Sequence, residues 1–287
     1  MYASVHPCEC THAKDVALEI TSLNNQKYHI MKEIKISDYA RQQIRRLFSQ
    51  RNSVNTLKKD PELTQLFDNF AFDEALKFTE GPVLEKTRAM CILASTIGCN
   101  AMRQFKAYVD VCLNVGIKPR EIREVVYQAV PYVGFSKVID FLLEMNLAFE
   151  DNDIKLPLDD QSTTTAETRK EKGREWIDGI FGAGTADKME KDAPEGQEHI
   201  VEFMESYCFG DFYTRNGIDM QHRELVTFCL LASMGVAQPQ LEMHGHGCRN
   251  MNISKKEMVA VLTGMLPYIG FPKTQNALTA VNKAYTD

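Results

Sequence analysis

A carboxylate and an imidazole on consecutive helical stretches are the first residues here that can do chemistry. The run Gln221-His222-Arg223-Glu224-Leu225 opens one stretch, and Leu241-Glu242-Met243-His244-Gly245-His246-Gly247-Cys248 lies in the next. On adjacent antiparallel helices Glu224 and His244 can face each other across a core pocket. Such a pair suits proton transfer: the imidazole titrates near working pH, while the carboxylate orients it and holds its charge. The same residues also have quieter readings. Arg223 and Glu224 can be polar residues of a first turn, where a Glu suits the helix dipole, and His244 can be a core histidine bonded to a backbone carbonyl. His246, two residues on, points to a different side of a helix. His244 and Cys248 share a face at i, i+4 and could hold a metal, but no third ligand is evident.

The elements that position these residues are repeated in the chain. At an offset of 136, Gln104 falls on Gln240, Cys112 on Cys248, Asn114 on Asn250, Ile117 on Ile253, Glu121 on Glu257 and Val125 on Val261. Pro131-Tyr132-Val133-Gly134-Phe135 falls on Pro267-Tyr268-Ile269-Gly270-Phe271, and Lys137 on Lys273. Upstream, Arg88 and Leu93-Ala94-Ser95 correspond to Arg223 and Leu231-Ala232-Ser233 with small shifts. Self-similarity of this kind marks a duplicated unit. The repeated motif reads as a helix ending at a Gly corner, with Pro and aromatics fixing the angle into the last helix. The expected architecture is all-α, two tandem copies packed with pseudo-twofold symmetry and burying an apolar face together.

Apolar spacing and capping residues predict the helices. Ser37 is an N-cap for Tyr39 to Phe48. Further helices follow at Pro61 to Phe78, Leu84 to Ile97, Ala101 to Val115, Pro119 to Val130 and Ser136 to Phe149. After a break come Glu171 to Phe181, Gln197 to Tyr213, Asp219 to Met234, Leu241 to Asn250, Ser254 to Leu266 and Thr274 to Tyr285. Ser254-Lys255-Lys256-Glu257 is a capping box. Alternating β-branched runs are scarce, so no sheet is expected. The chain divides into an N-terminal extension (1–33), a first repeat (34–150), a polar linker rich in Asp and Thr (151–168) and a second repeat (169–287) that carries the Glu/His pair. In the extension, Cys8 and Cys10 flanked by His6 and His12 could clip a metal. Their spacing is not that of a zinc knuckle, and no second ligand pair follows at a suitable distance.

Composition narrows the function classes. Hydrophobic residues make up 44% and charged residues 25% of the 287, a globular profile. The net charge of −6 argues against nonspecific binding to nucleic acid or to an anionic membrane. No apolar stretch is long enough to span a bilayer, and Met1 to Cys10 lacks a signal-peptide core, so a cytoplasmic location is expected. The eight cysteines read there as free thiols. Cys248 matches Cys112 of the copy without the histidine, which favours packing.

The second copy resembles the carboxymuconolactone decarboxylase family. The likeness begins near Lys172-Gly173-Arg174 and includes Phe209-Gly210-Asp211-Phe212-Tyr213-Thr214-Arg215-Asn216-Gly217, where the family has a Trp-Gly, an aromatic and an Arg-x-Gly turn. It continues through Arg223-Glu224-Leu225, Leu241 to His244, Asn250-Met251-Asn252-Ile253 and the stretch Tyr268 to Pro272. The first copy is then a degenerate member, with Ala89 where the second has Glu224. The resemblance implies a helical, alkylhydroperoxidase-like fold that assembles as a homo-oligomer, for a two-unit chain a trimer. It implies cofactor-independent decarboxylation or proton transfer on a small unsaturated lactone or carboxylic acid that carries its own electron sink. His244 would be the general acid/base and Glu224 its orienting partner. Arg223 would be a carboxylate clamp, because its planar fork suits bidentate recognition, with His222 and His246 as secondary binding residues. Two residues depart from the family pattern: Gln240 stands where an acidic residue is usual, and Phe209 replaces the Trp. The peroxidase branch of the fold needs Cys-x-x-Cys four residues before the His. Here those positions are Ala237 and Gln240, and in the first copy Ala101 and Gln104, with Tyr108 at the His position. Two alternatives remain: a noncatalytic scaffold or binding protein of the same fold, and redox chemistry through unpaired thiols such as Cys99, Cys208 and Cys248.

Overall fold

The computed structural model describes residues 35–48 and 60–286, and every regular element among them is helical. The cluster of His6, Cys8, Cys10 and His12 lies outside the described residues. The first copy comprises α1 (Asp38–Leu47), α2, α3 (Glu85–Gly98), α4 (Met102–Asn114), α5 (Pro119–Val133) and α6 (Phe135–Asp151). Helix α2 starts as Pro61–Asn69, widens into a π-helical stretch over Phe70–Glu74 and closes as Ala75–Thr79. The second copy comprises α7 (Arg169–Phe181), α8 (Thr185–Lys191), α9 (Glu198–Phe203, continuing as π-helix over Met204–Tyr213), α10 (Met220–Met234), α11 (Gln238–Asn250), α12 (Lys255–Ile269) and α13 (Phe271–Ala284).

Local chemistry sets the ends. The Ser37 hydroxyl accepts from the Ala40 N–H at 3.0 Å, and the Asp219 carboxylate accepts from the His222 N–H at 2.8 Å, both N-caps. Ser254 and Glu257 form the expected capping box. Helices α5 and α12 run through Pro131 and Pro267, a turn further than expected, since a proline in the last turn removes a single backbone bond. The joint is instead Gly134 and its equivalent Gly270, both at φ +82°, a backbone that other residues adopt only with strain. The short helix α8 was not anticipated. Apolar spacing does not distinguish the π-helical stretches from ordinary helix, because both periods give similar spacing over so short a run.

The copies pack reciprocally. Helix α3 lies along α10 at the centre; α5 of the first copy packs on α10 of the second, and α12 of the second packs on α3 of the first. Likewise α12 covers the end of α2, while α5 covers the π-helical part of α9. This exchange of equivalent contacts is the pseudo-twofold. One continuous core serves both copies, with Leu93, Ile97, Phe228 and Leu230 fully buried along the seam, each contributing about 1.5–3 kcal/mol. A smaller cluster of Ile177, Ile180, Phe209 and Tyr213 supports α9. The segment between α6 and α7 is tied to this body: Arg123 donates to the Leu158 carbonyl (3.0 Å), the Asn216 N–H to that of Gln161 (2.9 Å) and the Thr163 hydroxyl to that of Thr214 (2.8 Å).

Candidate active site

Glu224 in the second turn of α10 and His244 in the middle of α11 meet where the two helices pack, and both are buried. His244 Nδ1 lies 2.9 Å from Oε2 and 3.2 Å from Oε1 of Glu224. A carboxylate only accepts, so the contact puts the proton on Nδ1 and leaves Nε2 of the neutral imidazole as a base. Gly247 makes the approach possible: a Cβ there would sit 2.3 Å from Glu224 Oε2. The rings of Tyr132 and Phe181 meet the imidazole edge-on, each with centroids 5.5 Å away, and fix its plane.

A chain of hydroxyls surrounds the pair. Tyr213 donates to Glu224 Oε1 at 2.9 Å. Its oxygen lies 2.9 Å from the Thr227 hydroxyl and 2.7 Å from that of Tyr132. Gln128 Nε2 donates to Thr227 at 3.2 Å, which orients Thr227 toward Tyr213. Tyr132 therefore has one proton and two acceptors, the Tyr213 oxygen and His244 Nε2 at 3.4 Å. It can donate to Nε2 when the imidazole is neutral, and turn to Tyr213 and accept from Nε2 when the imidazole is charged. Burial raises the phenols of Tyr132 and Tyr213 well above their ordinary range, with the nearby Glu224 charge adding to it, so both stay hydroxyls.

His244 lines a cavity of about 640 Å³ together with Tyr132. Its walls come from the end of α5, the π-helical part of α9, the end of α10 and the start of α11. Among the described residues no Lys, Arg, Asp or Glu lines it. Cys208 does, but burial pushes its thiol up to about 12, so it is not a ready nucleophile at neutral pH.

The other residues singled out in the sequence lie elsewhere. Arg223 is fully buried and points away from the cavity. It donates to Gln128 Oε1 (2.9 Å), Glu124 Oε2 (3.1 Å) and the carbonyls of Arg215 (2.7 Å) and Asn216 (3.1 Å). Glu124 also takes Arg215 Nε at 3.0 Å, so the two guanidiniums and one carboxylate tie α10 to α5. His222 lines a separate cavity between α3 and α10, with Nδ1 2.8 Å from Asp219 Oδ1 and Nε2 3.2 Å from the Thr87 hydroxyl. His246 is exposed on the outer side of α11. Cys248 is buried and its thiol is raised by desolvation, as for a packing residue. Among the described residues no group of three or more His, Cys, Asp or Glu is arranged to hold a metal, and no helix is long and apolar enough to cross a membrane.

The pseudo-twofold places Tyr108 at the His244 position and Tyr268 at the Tyr132 position, and their hydroxyls hydrogen-bond. Ala89 stands at the place of Glu224, and Leu76 and Ile92 line the space beside it. Phe48 and Phe67 pack edge-on against the two tyrosines. About 20 Å³ of space remains, roughly one water. The first copy's site is filled, yet its helix α5 lends Tyr132 to the site of the other copy.

The profile of the Carboxymuconolactone decarboxylase family matches this chain twice, over residues 61–145 and 198–283. Together these cover more than half of the sequence. The chain belongs to the carboxymuconolactone decarboxylase family. A 4-carboxymuconolactone decarboxylase of Acinetobacter baylyi is 22% identical over 121 residues, which span 42% of this chain and 90% of that protein. A crystal structure of a candidate gamma-carboxymuconolactone decarboxylase subunit from Burkholderia xenovorans superposes with a TM-score of 0.50 at 17% identity, covering 86% of this chain and 96% of that one. At that identity the superposition speaks for the fold. The two family matches begin at Pro61 and Glu198, the starts of α2 and α9, so each family unit opens on a helix with a π-helical stretch.

Tyr132, Tyr213, Thr227 and Gln128 were not singled out from the sequence. Tyr132 had a signal, since it lies in the repeated Pro-Tyr-x-Gly-Phe motif. What hid it was topology: its motif belongs to one copy and its hydroxyl serves the other.

Proposed function

We propose that the chain catalyses cofactor-independent proton transfer at carbon on a small unsaturated lactone or carboxylic acid, in the carboxy-lyase manner for which its relatives are named. The observation that carries this reading is the buried His244–Glu224 pair at the edge of a cavity that His244 itself lines. In the decarboxylating form, the C–CO2 bond breaks and its electron pair moves into the conjugated carbonyl of the substrate. An imidazolium at His244 then delivers a proton from Nε2 to carbon. Glu224 holds the imidazolium through Nδ1–H, and Tyr132 adjusts its hydroxyl to either protonation state. The apolar walls strip water from a departing carboxylate, which favours its loss as neutral CO2. Positioned acid–base catalysis of this kind is worth about 10²- to 10⁴-fold.

A thiol route has less support, because desolvation keeps Cys208 protonated. Proton NMR in heavy water with a panel of unsaturated lactone acids tests the reading, following CO2 loss and deuterium entry at carbon. Turnover that falls at least a hundredfold in His244→Ala, with the fold intact by circular dichroism, is the expected result. Turnover unchanged in that variant would remove His244 from the chemistry.

A further inference from the structure

The walls of the cavity say what sort of molecule it takes. The lining is mainly apolar and includes Phe203, Met204, Leu231, Met234, Val236 and Met243. The polar side chains that line it are few: His244, Tyr132, Cys208, Gln240 and Tyr207. The nearby cations are engaged elsewhere: Arg223 and Arg215 with Glu124, Lys137 with the Gly98 carbonyl and Lys273 with that of Ser233. A charged group on the part of a ligand away from His244 would lose water and meet no counter-charge. An apolar body would gain by burial. Volumes of this size with few convergent polar groups are typical of small-molecule sites.

We propose that the cavity binds a molecule with an apolar body and a single polar head, the head set at His244 and Tyr132 and the body free of charge. The position of the head rests on the proton-transfer reading; the character of the body rests on the walls alone. Gln240 is the residue at which one substitution can change this selectivity. It is exposed and lines the cavity, so a longer cationic side chain there can reach a ligand without entering the core.

Two probes decide it: 5-pentylfuran-2(5H)-one, a neutral unsaturated lactone with an apolar tail, and the same lactone with its tail ending in a carboxylate. Each is titrated calorimetrically into the full chain at pH 7.5. The neutral lactone is expected to bind at least tenfold more tightly. Gln240→Lys is expected to narrow that gap to threefold or less. His244→Ala is expected to weaken binding of the neutral lactone, because it removes a partner of the head, while keeping the preference over the carboxylate, which the walls set. The wild-type chain separates the two ideas: preference for the neutral lactone with no turnover of any substrate by the unaltered chain would sink the proton-transfer reading and leave the binding proposal standing. Equal or tighter binding of the carboxylate by the wild-type chain overturns the proposal. So does failure of both probes to bind, or binding that appears only after Val236→Asp separates copies of the chain, which would make the cavity mouth a contact between copies.

Discussion

Replacing Glu224 with Gln keeps the volume of the side chain and removes its charge, so it isolates what the carboxylate does. Glu224 accepts from His244 Nδ1–H on one side and from the Tyr213 hydroxyl on the other. An amide cannot accept on both sides. If its NH2 faces His244, Nδ1 must become the acceptor and the ring proton moves to Nε2, which removes the base from the cavity. If its NH2 faces Tyr213, that hydroxyl must reverse, and the imidazolium loses its counter-charge. Either arrangement forfeits a charge-assisted hydrogen bond worth about 1.5–3 kcal/mol. At 1.36 kcal/mol per tenfold in rate, kcat is expected to fall about 10- to 150-fold. KM for a substrate that does not touch Glu224 should change little. Heavy-water exchange at carbon measures the rate, and the 15N shifts of the His244 ring report which nitrogen carries the proton. Turnover within twofold of wild type, with the ring tautomer unchanged, would refute the reasoning: Glu224 would then be a buried spectator.

Three further perturbations address the surroundings. Tyr132→Phe removes a neutral hydrogen bond, about 0.5–1.5 kcal/mol, so kcat/KM should fall about 2- to 10-fold; an unchanged kcat/KM would show that the hydroxyl serves neither the imidazole nor the head of the ligand. Arg223→Met leaves Glu124 buried with Arg215 as its remaining cation, and urea denaturation should show a loss of about 3 kcal/mol, partly recovered in Arg223→Met/Glu124→Gln; full stability in the single variant would contradict the structural role. Asp68 in α2 is raised to about 6 by burial. Its neutral form is favoured in the folded state, so its contribution is complete below the ordinary value of 3.8 and is lost as pH rises through about 6. Because the side chain is only half-buried, solvent damps the effect. Asp68→Asn should therefore stabilise the chain more at pH 7.5 than at pH 4.5, as read by the shift in urea midpoint; the opposite order would show that the carboxylate is favoured by the fold.

The helices were legible because local rules act within a few residues. Ser37, Asp219 and Ser254 cap where capping chemistry says they should, and the 136-residue offset survives as matched helix limits: Met102 with Gln238, Asn114 with Asn250, Val133 with Ile269. Glu224 and His244 were legible as a pair because consecutive antiparallel helices bring such residues together. Arg223 shows what spacing does not reveal. One residue earlier on α10 than Glu224, it turns by about 100° around the axis and meets α5 of the other copy instead of the cavity. A fork of donors suits a substrate carboxylate and a protein carboxylate equally, and only the packed position of Glu124 decides between them. His222 likewise shares the first turn of α10 but faces α3. Cross-copy packing is long-range information, and no local pattern carries it.

That same packing explains a feature of the duplicated chain that would otherwise look contradictory. The Pro-Tyr-x-Gly-Phe motif stands in both copies, while the Glu/His pair stands in one. If each copy built its site from its own residues, the motif of the filled site would have no work to do. Reciprocal docking separates the two. Tyr132 belongs to the filled copy by sequence and to the open site by position, 2.7 Å from Tyr213 and 3.4 Å from His244. Tyr268, from the copy with the Glu/His pair, closes the other site by pairing with Tyr108. The first copy is therefore required as a wall and as the source of a hydroxyl, even though it holds neither Glu nor His at the matching positions. Cutting the chain between the copies would not release a smaller competent unit: the second copy alone would lose Tyr132 and Gln128 and expose the seam around Phe228 and Leu230.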